Sequence, residues 1–421
     1  MVRTLMKRAR ASRPEGAGRA PGRRHWIFLA GIIGFAACSS GGDTGAGAGG
    51  SAGSGYGDVR SCGPSGDVCP IPPGSYPICV SDACDIRCND GFDDCDQERA
   101  NGCEASLASD ANNCSRCGRG CLGGTCEMGV CAPIMIASSQ DHPQSIVING
   151  SVAYWTNAGK YDEPGLGWAP TEGGGAVSAL GSDVLGNTWG IAVDANNLYW
   201  TANDGSQRGL YWTSRAAPGN FFKLAGGTVT RGLAVDAKNA YWAEQNDEKD
   251  GSGQVLMVPL AGGDVVTVAS NQSRPRDVVV DESRVYWTSG GEQGAVMISP
   301  LAAPSPTPLA EGQNEPSGLA LFDSKIYWAS SGAGQILSAP KAGGAVTVLA
   351  SDQHQPVAVA VDASGVYWAT HQGEIVVLRN EPGSAPVLLA TGQSRPEGIA
   401  LDDKAVYWTS AEAGVIMKVA R

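Results

Sequence analysis

Through the last two-thirds of the chain, short apolar runs alternate large and small side chains and break at acids, glycines or prolines. In Gly190-Ile191-Ala192-Val193-Asp194 the bulky residues fall on one side and the bare ones on the other, so a strand built from them has one filled face and one flat face. Gly232-Leu233-Ala234-Val235-Asp236, Gly318-Leu319-Ala320-Leu321 and Gly398-Ile399-Ala400-Leu401-Asp402 repeat the pattern. A second run follows within a few residues and carries a Tyr-Trp pair, as in Leu198-Tyr199-Trp200-Thr201. Neighbouring residues of a strand point to opposite faces, so each pair serves two buried surfaces. A third and a fourth run, Gln254 to Leu260 and Asp264 to Val268, flank Gly262-Gly263. Gly-Gly between two such runs signals a tight hairpin with positive φ, and Gly226-Gly227 and Gly343-Gly344 are read the same way. Pro259 suits the outer part of such a sheet, where a missing donor is tolerated.

This four-strand unit recurs. The pairs Tyr154-Trp155, Tyr199-Trp200, Tyr241-Trp242, Tyr286-Trp287, Tyr327-Trp328, Tyr367-Trp368 and Tyr407-Trp408 are separated by 45, 42, 45, 41, 40 and 40 residues, the period of a propeller blade. Tyr211-Trp212 breaks the period. The fold expected is all-β: a seven-bladed β-propeller over residues 133–421, with a six-bladed ring as the alternative. Small residues on the first strand of each unit fit the crowded axis of such a ring. The last repeat has three strands, and Pro133-Ile134-Met135-Ile136-Ala137-Ser138 matches the fourth-strand run Ala345 to Ser351, so residues 133–138 are expected to pair with the C-terminal blade and close the ring. The regular place of the aromatic pairs on a buried strand makes them core rather than a carbohydrate platform.

The Tyr-Trp-Thr core at this spacing resembles the class B repeats of low-density-lipoprotein-receptor-type propellers and bacterial propellers of the same style. The receptor-type motif continues with Asp, whereas Asn157, Ala202, Glu244, Ser289, Ser330, Thr370 or Ser410 stands here, and receptor-type propellers have six blades. The resemblance implies the fold and not a receptor's partner.

Residues 1–37 read as an export leader, with eight basic residues against the single acid Glu15 and an apolar run, Trp26 to Phe35, too short to span a bilayer. Phe35-Ala36-Ala37-Cys38 resembles the lipobox of bacterial lipoproteins. That implies an acylated Cys38, a membrane anchor and, with Ser39 following, passage to the outer membrane. A plain cleaved signal is the alternative, and Arg23-Arg24 is a weak twin-arginine cue. Residues 38–57 are rich in Gly, Ser and Ala and form a tether. Its Gly49-Gly50-Ser51-Ala52-Gly53 matches a nucleophile motif in letters only, since a tether offers no strained strand-to-helix turn.

Residues 58–132 hold Cys62, Cys69, Cys79, Cys84, Cys88, Cys95, Cys103, Cys114, Cys117, Cys121, Cys126 and Cys131, twelve of the thirteen cysteines. An even count in an exported, core-poor segment predicts a disulfide framework of undetermined connectivity. The spacing Cys114-Ser115-Arg116-Cys117 also suits zinc, but an oxidising compartment favours disulfides. Asp90, Asp93, Asp94 and Asp96 could gather Ca²⁺, although they lack EF-hand spacing, and a solvated acidic loop is the plainer reading. No other cofactor or metal site is read.

The net charge of −12 becomes about −19 once the leader is removed. Nucleic acid is therefore excluded as a general partner, and the expected partners are a membrane, through the lipid, and an extracellular protein or glycan. Propellers bind ligands on the face made by the segments leading into strand one and by the loops between strands two and three. Here those segments supply Arg231, Arg274, Arg276, Glu315, His354, Arg395 and Glu397, able to hold a carboxylate, sulfate or acidic peptide, or simply to pair with each other. Three readings result: a non-enzymatic recognition module on the cell envelope, a lactonase- or lyase-type propeller enzyme, and a structural envelope component. A deep polar funnel with perturbed acids favours the enzyme; a broad, shallow face favours recognition.

Overall fold

The computed structural model describes residues 61–421 apart from 63, 65–66, 160–164, 174–177, 180–186, 204–207, 228 and 246–250, and apart from the side chains of 67, 178, 179 and 229–231. The leader, Cys38 and the tether lie outside the described residues, as does the side chain of Arg231.

Seven four-stranded antiparallel sheets follow one another along the chain, and no helix occurs among the described residues. Their innermost strands are Pro143–Asn149, Thr188–Val193, Val229–Val235, Pro275–Val280, Pro316–Phe322, Pro356–Asp362 and Pro396–Leu401. Each touches the next, and the seventh touches the first, so the ring is closed. The fold is a seven-bladed β-propeller. In the seventh blade, strand Val415–Ala420 pairs on its outer side with Ile134–Ala137, Ile416 opposite Ala137 and Lys418 opposite Ile134. The buried Lys418 ammonium donates to the carbonyls of Thr171 and Glu172 in blade one, a second tie across the closure.

The aromatic pairs account for the packing. Every Trp of the seven periodic pairs is 0–1% exposed. Tyr of one blade and Trp of the next share a cluster at each interface: Tyr154 with Trp200, Tyr199 with Trp242, Tyr241 with Trp287, Tyr286 with Trp328, Tyr327 with Trp368, Tyr367 with Trp408 and Tyr407 with Trp155. Two opposite-facing aromatics on one strand thus fill both gaps beside each blade.

Their polar atoms are also satisfied. In five blades the indole Nε1–H donates to a glutamine fifteen residues upstream, at or three residues past the end of the preceding blade's outer strand: Trp155 to Gln140, Trp287 to Gln272, Trp328 to Gln313, Trp368 to Gln353 and Trp408 to Gln393, at 2.8–3.2 Å. The hydroxyls of Tyr199, Tyr241, Tyr286 and Tyr407 donate to the aspartate five residues upstream, whose other oxygen accepts backbone N–H groups of the turn between strands one and two. Burial, with the adjacent carboxylate, pushes Tyr199, Tyr241 and Tyr286 up to about 12.

Each innermost strand carries one extra residue near its start, a β-bulge. The Thr after Tyr-Trp serves it. Thr156 accepts the Ser145 N–H and donates to the Trp189 carbonyl of the next blade, and Thr409 does the same between Gly398 and Gln144. The bulge brings neighbouring backbones so close that a Cβ on Gly398 would lie 2.4 Å from the Gln144 oxygen.

The Gly-Gly expectation holds for Gly262-Gly263 and Gly343-Gly344, which join third to fourth strands with positive φ. It fails for Gly226-Gly227. Gly226 ends the outer strand Phe222–Gly226, opposite Gly209, because Tyr211-Trp212 sits in the third strand and stacks on Trp200 and Phe222.

Six disulfides staple the N-terminal module: Cys62–Cys79, Cys69–Cys84, Cys88–Cys103, Cys95–Cys117, Cys114–Cys126 and Cys121–Cys131. The last two are buried with Leu389, Ala390, Val419 and Ala420 of blades six and seven. Arg119 adds hydrogen bonds to the carbonyls of Ala420 and Arg421. The described residues form one compact unit.

Candidate functional site

The start of each innermost strand builds a funnel at the axis. The residue just ahead of the strand has a left-handed backbone in six blades: His142, Asn187, Arg274, Glu315, Gln355 and Arg395, with φ between 42° and 63°. Five of these precede proline. This conformation is uncommon for a side-chain-bearing residue and strained, and it persists only where the surroundings hold it. Here they do: each carbonyl accepts an N–H from the residue just past the second strand, Ala158 to His142, Asn203 to Asn187, Gly290 to Arg274, Ser331 to Glu315, His371 to Gln355 and Ala411 to Arg395. The loop after Tyr-Trp is thereby locked to the segment leading into the blade, and both face the funnel.

A cavity of about 950 Å³ occupies the axis on this side. The second residues of the innermost strands form one ring in its wall, among them Gln144, Trp189, Arg276 and Glu397. Arg276 and Glu397 are therefore strand residues placed by the bulge, not loop residues as their positions suggested. One step deeper lies a ring of small residues, Ser145, Gly190, Gly232, Gly318, Ala358 and Gly398, broken only in blade four by Asp277.

Charged groups at the mouth are paired in a repeated way. Glu315 takes Arg274 at 3.0 Å and Arg276 at 2.7 Å. Glu397 takes Arg395 at 2.9 Å and faces His371 Nε2 at 3.3 Å. Two basic groups thus share each carboxylate. His354 belongs elsewhere: it is largely exposed, faces Glu374 at 3.1 Å and does not line the cavity. Of the seven residues singled out from sequence, Arg274, Arg276, Glu315, Arg395 and Glu397 come together at the mouth.

Asp277 was not among them. Its Oδ2 accepts the Leu319 N–H of blade five at 2.7 Å and its Oδ1 the Val278 N–H at 2.9 Å. Burial pushes its carboxyl up to about 6 against these two bonds, which favour the charged form. Aligning the repeats shows an acid where the other blades carry Gly, Ala or Ser, a signal present in the sequence.

In the N-terminal module, Asp94, Asp96 and Glu104 approach one another closely enough for their oxygens to share an ion. Asp96 is held by the Glu98 N–H and the Asn101 amide, and Glu104 by the Cys95 N–H. Asp90 and Asp93 are not part of this group.

No protein-family model and no curated protein sequence matches the chain. Solved structures do. A streptogramin B lyase structure is similar at a TM-score of 0.58 and 13% identity, over 68% of this chain and 97% of that one. Virginiamycin B lyase from Staphylococcus aureus gives 0.56 and 11%, over 69% and 98%, and a catalytically inactive form of that enzyme with quinupristin gives 0.55 and 11%, over the same shares. A nidogen/laminin complex reaches only 0.45. At such identities the likeness speaks to architecture alone. What it establishes for this chain is the seven-bladed β-propeller.

Proposed function

We propose that the chain is an exported envelope protein, held in the outer membrane through acylated Cys38, whose propeller recognises an anionic group of a protein or glycan at the funnel mouth. The observation that carries this is the double pairing of Glu315 and Glu397, each with two basic side chains. Among the described residues, Arg274, Arg276, Arg395 and His371 pair with Glu315 and Glu397 at this mouth, in a chain whose net charge is −12. Guanidiniums already oriented by a carboxylate can turn one face to a second anion with little loss of side-chain entropy. The lipobox, tether and disulfide module describe a protein built for display. The resemblance to receptor-type propellers supports the same reading without naming a partner.

The test is a titration of the full chain with acidic oligosaccharides and acidic peptides against their neutral counterparts, in wild type and in Arg274→Ala/Arg276→Ala. Saturable binding of the acidic members only, weakened in the variant, is expected. Equal binding of neutral counterparts, or a variant indistinguishable from wild type, overturns it. Loss of metabolic palmitate labelling in Cys38→Ala tests the anchor. A second reading, a propeller enzyme, is favoured by Asp277 and the His371–Glu397 contact within the same cavity. Turnover of any bound member would move the assignment there.

A further inference from the structure

We infer that the channel takes a compact zwitterion, an amino acid or short peptide, with its carboxylate at Arg274 and Arg276 and its ammonium on Asp277. This rests on the anion-recognition reading above and adds the chemistry of the floor. Three observations carry it. First, this ring is broken at one place: six blades put Gly, Ala or Ser there and blade four puts Asp277. The other six strands show that the bulge is built without an acid. Second, the Asp277 carboxylate is fixed in place, each oxygen accepting one backbone N–H, from Val278 and from Leu319. A carboxylate oxygen has two lone pairs, so each keeps acceptor capacity, and Asp277 is among the residues that line the cavity. Third, the small residues of the ring let neighbouring backbones close up around the cavity that they border, while Arg276, the preceding residue, turns its guanidinium to Glu315 at the mouth.

The polarity of the site follows from these placements. Among the described residues, two sets of basic groups, each on a glutamate, stand at the mouth, and Asp277 is the acid of the next ring. A simple carboxylate satisfies the first and leaves the second unmatched. A ligand amine alone satisfies the floor and meets the arginines on the way. A molecule with both groups satisfies both, and the burial that disfavours the Asp277 charge by itself strengthens its pairing with an ammonium.

The experiment is calorimetric titration of the full chain, in detergent, with matched pairs of increasing length: glycine and acetate, 4-aminobutanoate and butanoate, 6-aminohexanoate and hexanoate. At one length or more the amino acid is expected to bind roughly tenfold or more tighter than its matched acid, the value of a hydrogen-bonded charged pair. Asp277→Asn should reduce that ratio to near one while leaving the acid's affinity in place, and Arg274→Gln/Arg276→Gln should weaken both members. Equal affinities at every length, or a preference that survives Asp277→Asn, overturns the zwitterion while anion recognition stands. Failure of every acid and amino acid to bind overturns both. Thermal unfolding of each variant guards against a folding defect, and Asp277→Ser, the residue blade one carries at this position, serves as a second variant expected to behave like Asp277→Asn.

Discussion

Removing Gln272 tests how the blades are held together. Trp287 is completely buried, and its indole N–H donates to Gln272 Oε1 at 2.8 Å, the end of the preceding blade's outer strand. Gln272→Ala leaves that N–H of a fully buried ring without its acceptor, a cost of about 1–3 kcal/mol. The second bond of Gln272, from its amide to the Ser270 carbonyl, is exposed and adds little. Trp287→Ala removes the whole ring from a cluster with Tyr241, Val255 and Val278 and should cost roughly 3–5 kcal/mol. Trp287→Phe keeps most of the ring and discards the N–H, so it isolates the bond. The assay is guanidinium unfolding followed by fluorescence with the disulfides intact, arranged as a double-mutant cycle. Gln272→Ala should be costly in the wild-type background and cost less than about 0.5 kcal/mol beside Trp287→Phe. The same small cost in both backgrounds would refute the clamp and leave Trp287 as mere volume.

Other outcomes follow from the same geometry. Gly398→Ala should destabilise by about 1–3 kcal/mol in thermal unfolding, since its Cβ would meet the Gln144 oxygen at 2.4 Å. The Asp277 carboxyl sits near 6 when folded, above its ordinary value, so the folded state binds the extra proton; stability should fall as pH rises from about 4 to 6, by up to about 3 kcal/mol, and Asp277→Asn should flatten that slope. Tyr241→Phe should cost about 1 kcal/mol through the lost bond to Asp236, and absorbance titration should find the wild-type phenol ionising near 12. Replacing Cys114 and Cys126 by Ser should lower the unfolding free energy of the propeller itself by about 2–5 kcal/mol, because that disulfide is buried against blades six and seven; an unchanged propeller transition would contradict this packing.

The candidate site was only partly legible. Arg274, Arg276, Glu315, Arg395 and Glu397 could be singled out because they stand at equivalent places in a repeat whose geometry is known. That Glu315 is shared by Arg274 and Arg276, and Glu397 by Arg395 and His371, depends on which loops the left-handed residues bring together. Asp277 was passed over because a search for charged loops does not look at a strand position normally reserved for small residues. The glutamine clamps were missed for a similar reason: Gln140 and Trp155 read as members of separate segments until the blades are set side by side.

What the chain determined by itself is periodic and local. Alternation made the strands, the opposite-facing Tyr and Trp required two buried faces per strand, and a spacing near 41 residues required a closed ring of such sheets. Tertiary structure alone decided the rest: the six disulfide partners, the docking of Cys114–Cys126 and Cys121–Cys131 on the last blades, and the meeting of charges at the axis. The physical reason is distance along the chain. Burial patterns and turns are set by residues a few places apart, where each additional contact needs little further ordering. Disulfide partners lie 10–22 residues apart with another cysteine inside every span, and ring closure joins residues as distant as Thr171 and Lys418, so only the packed structure selects one partner from several.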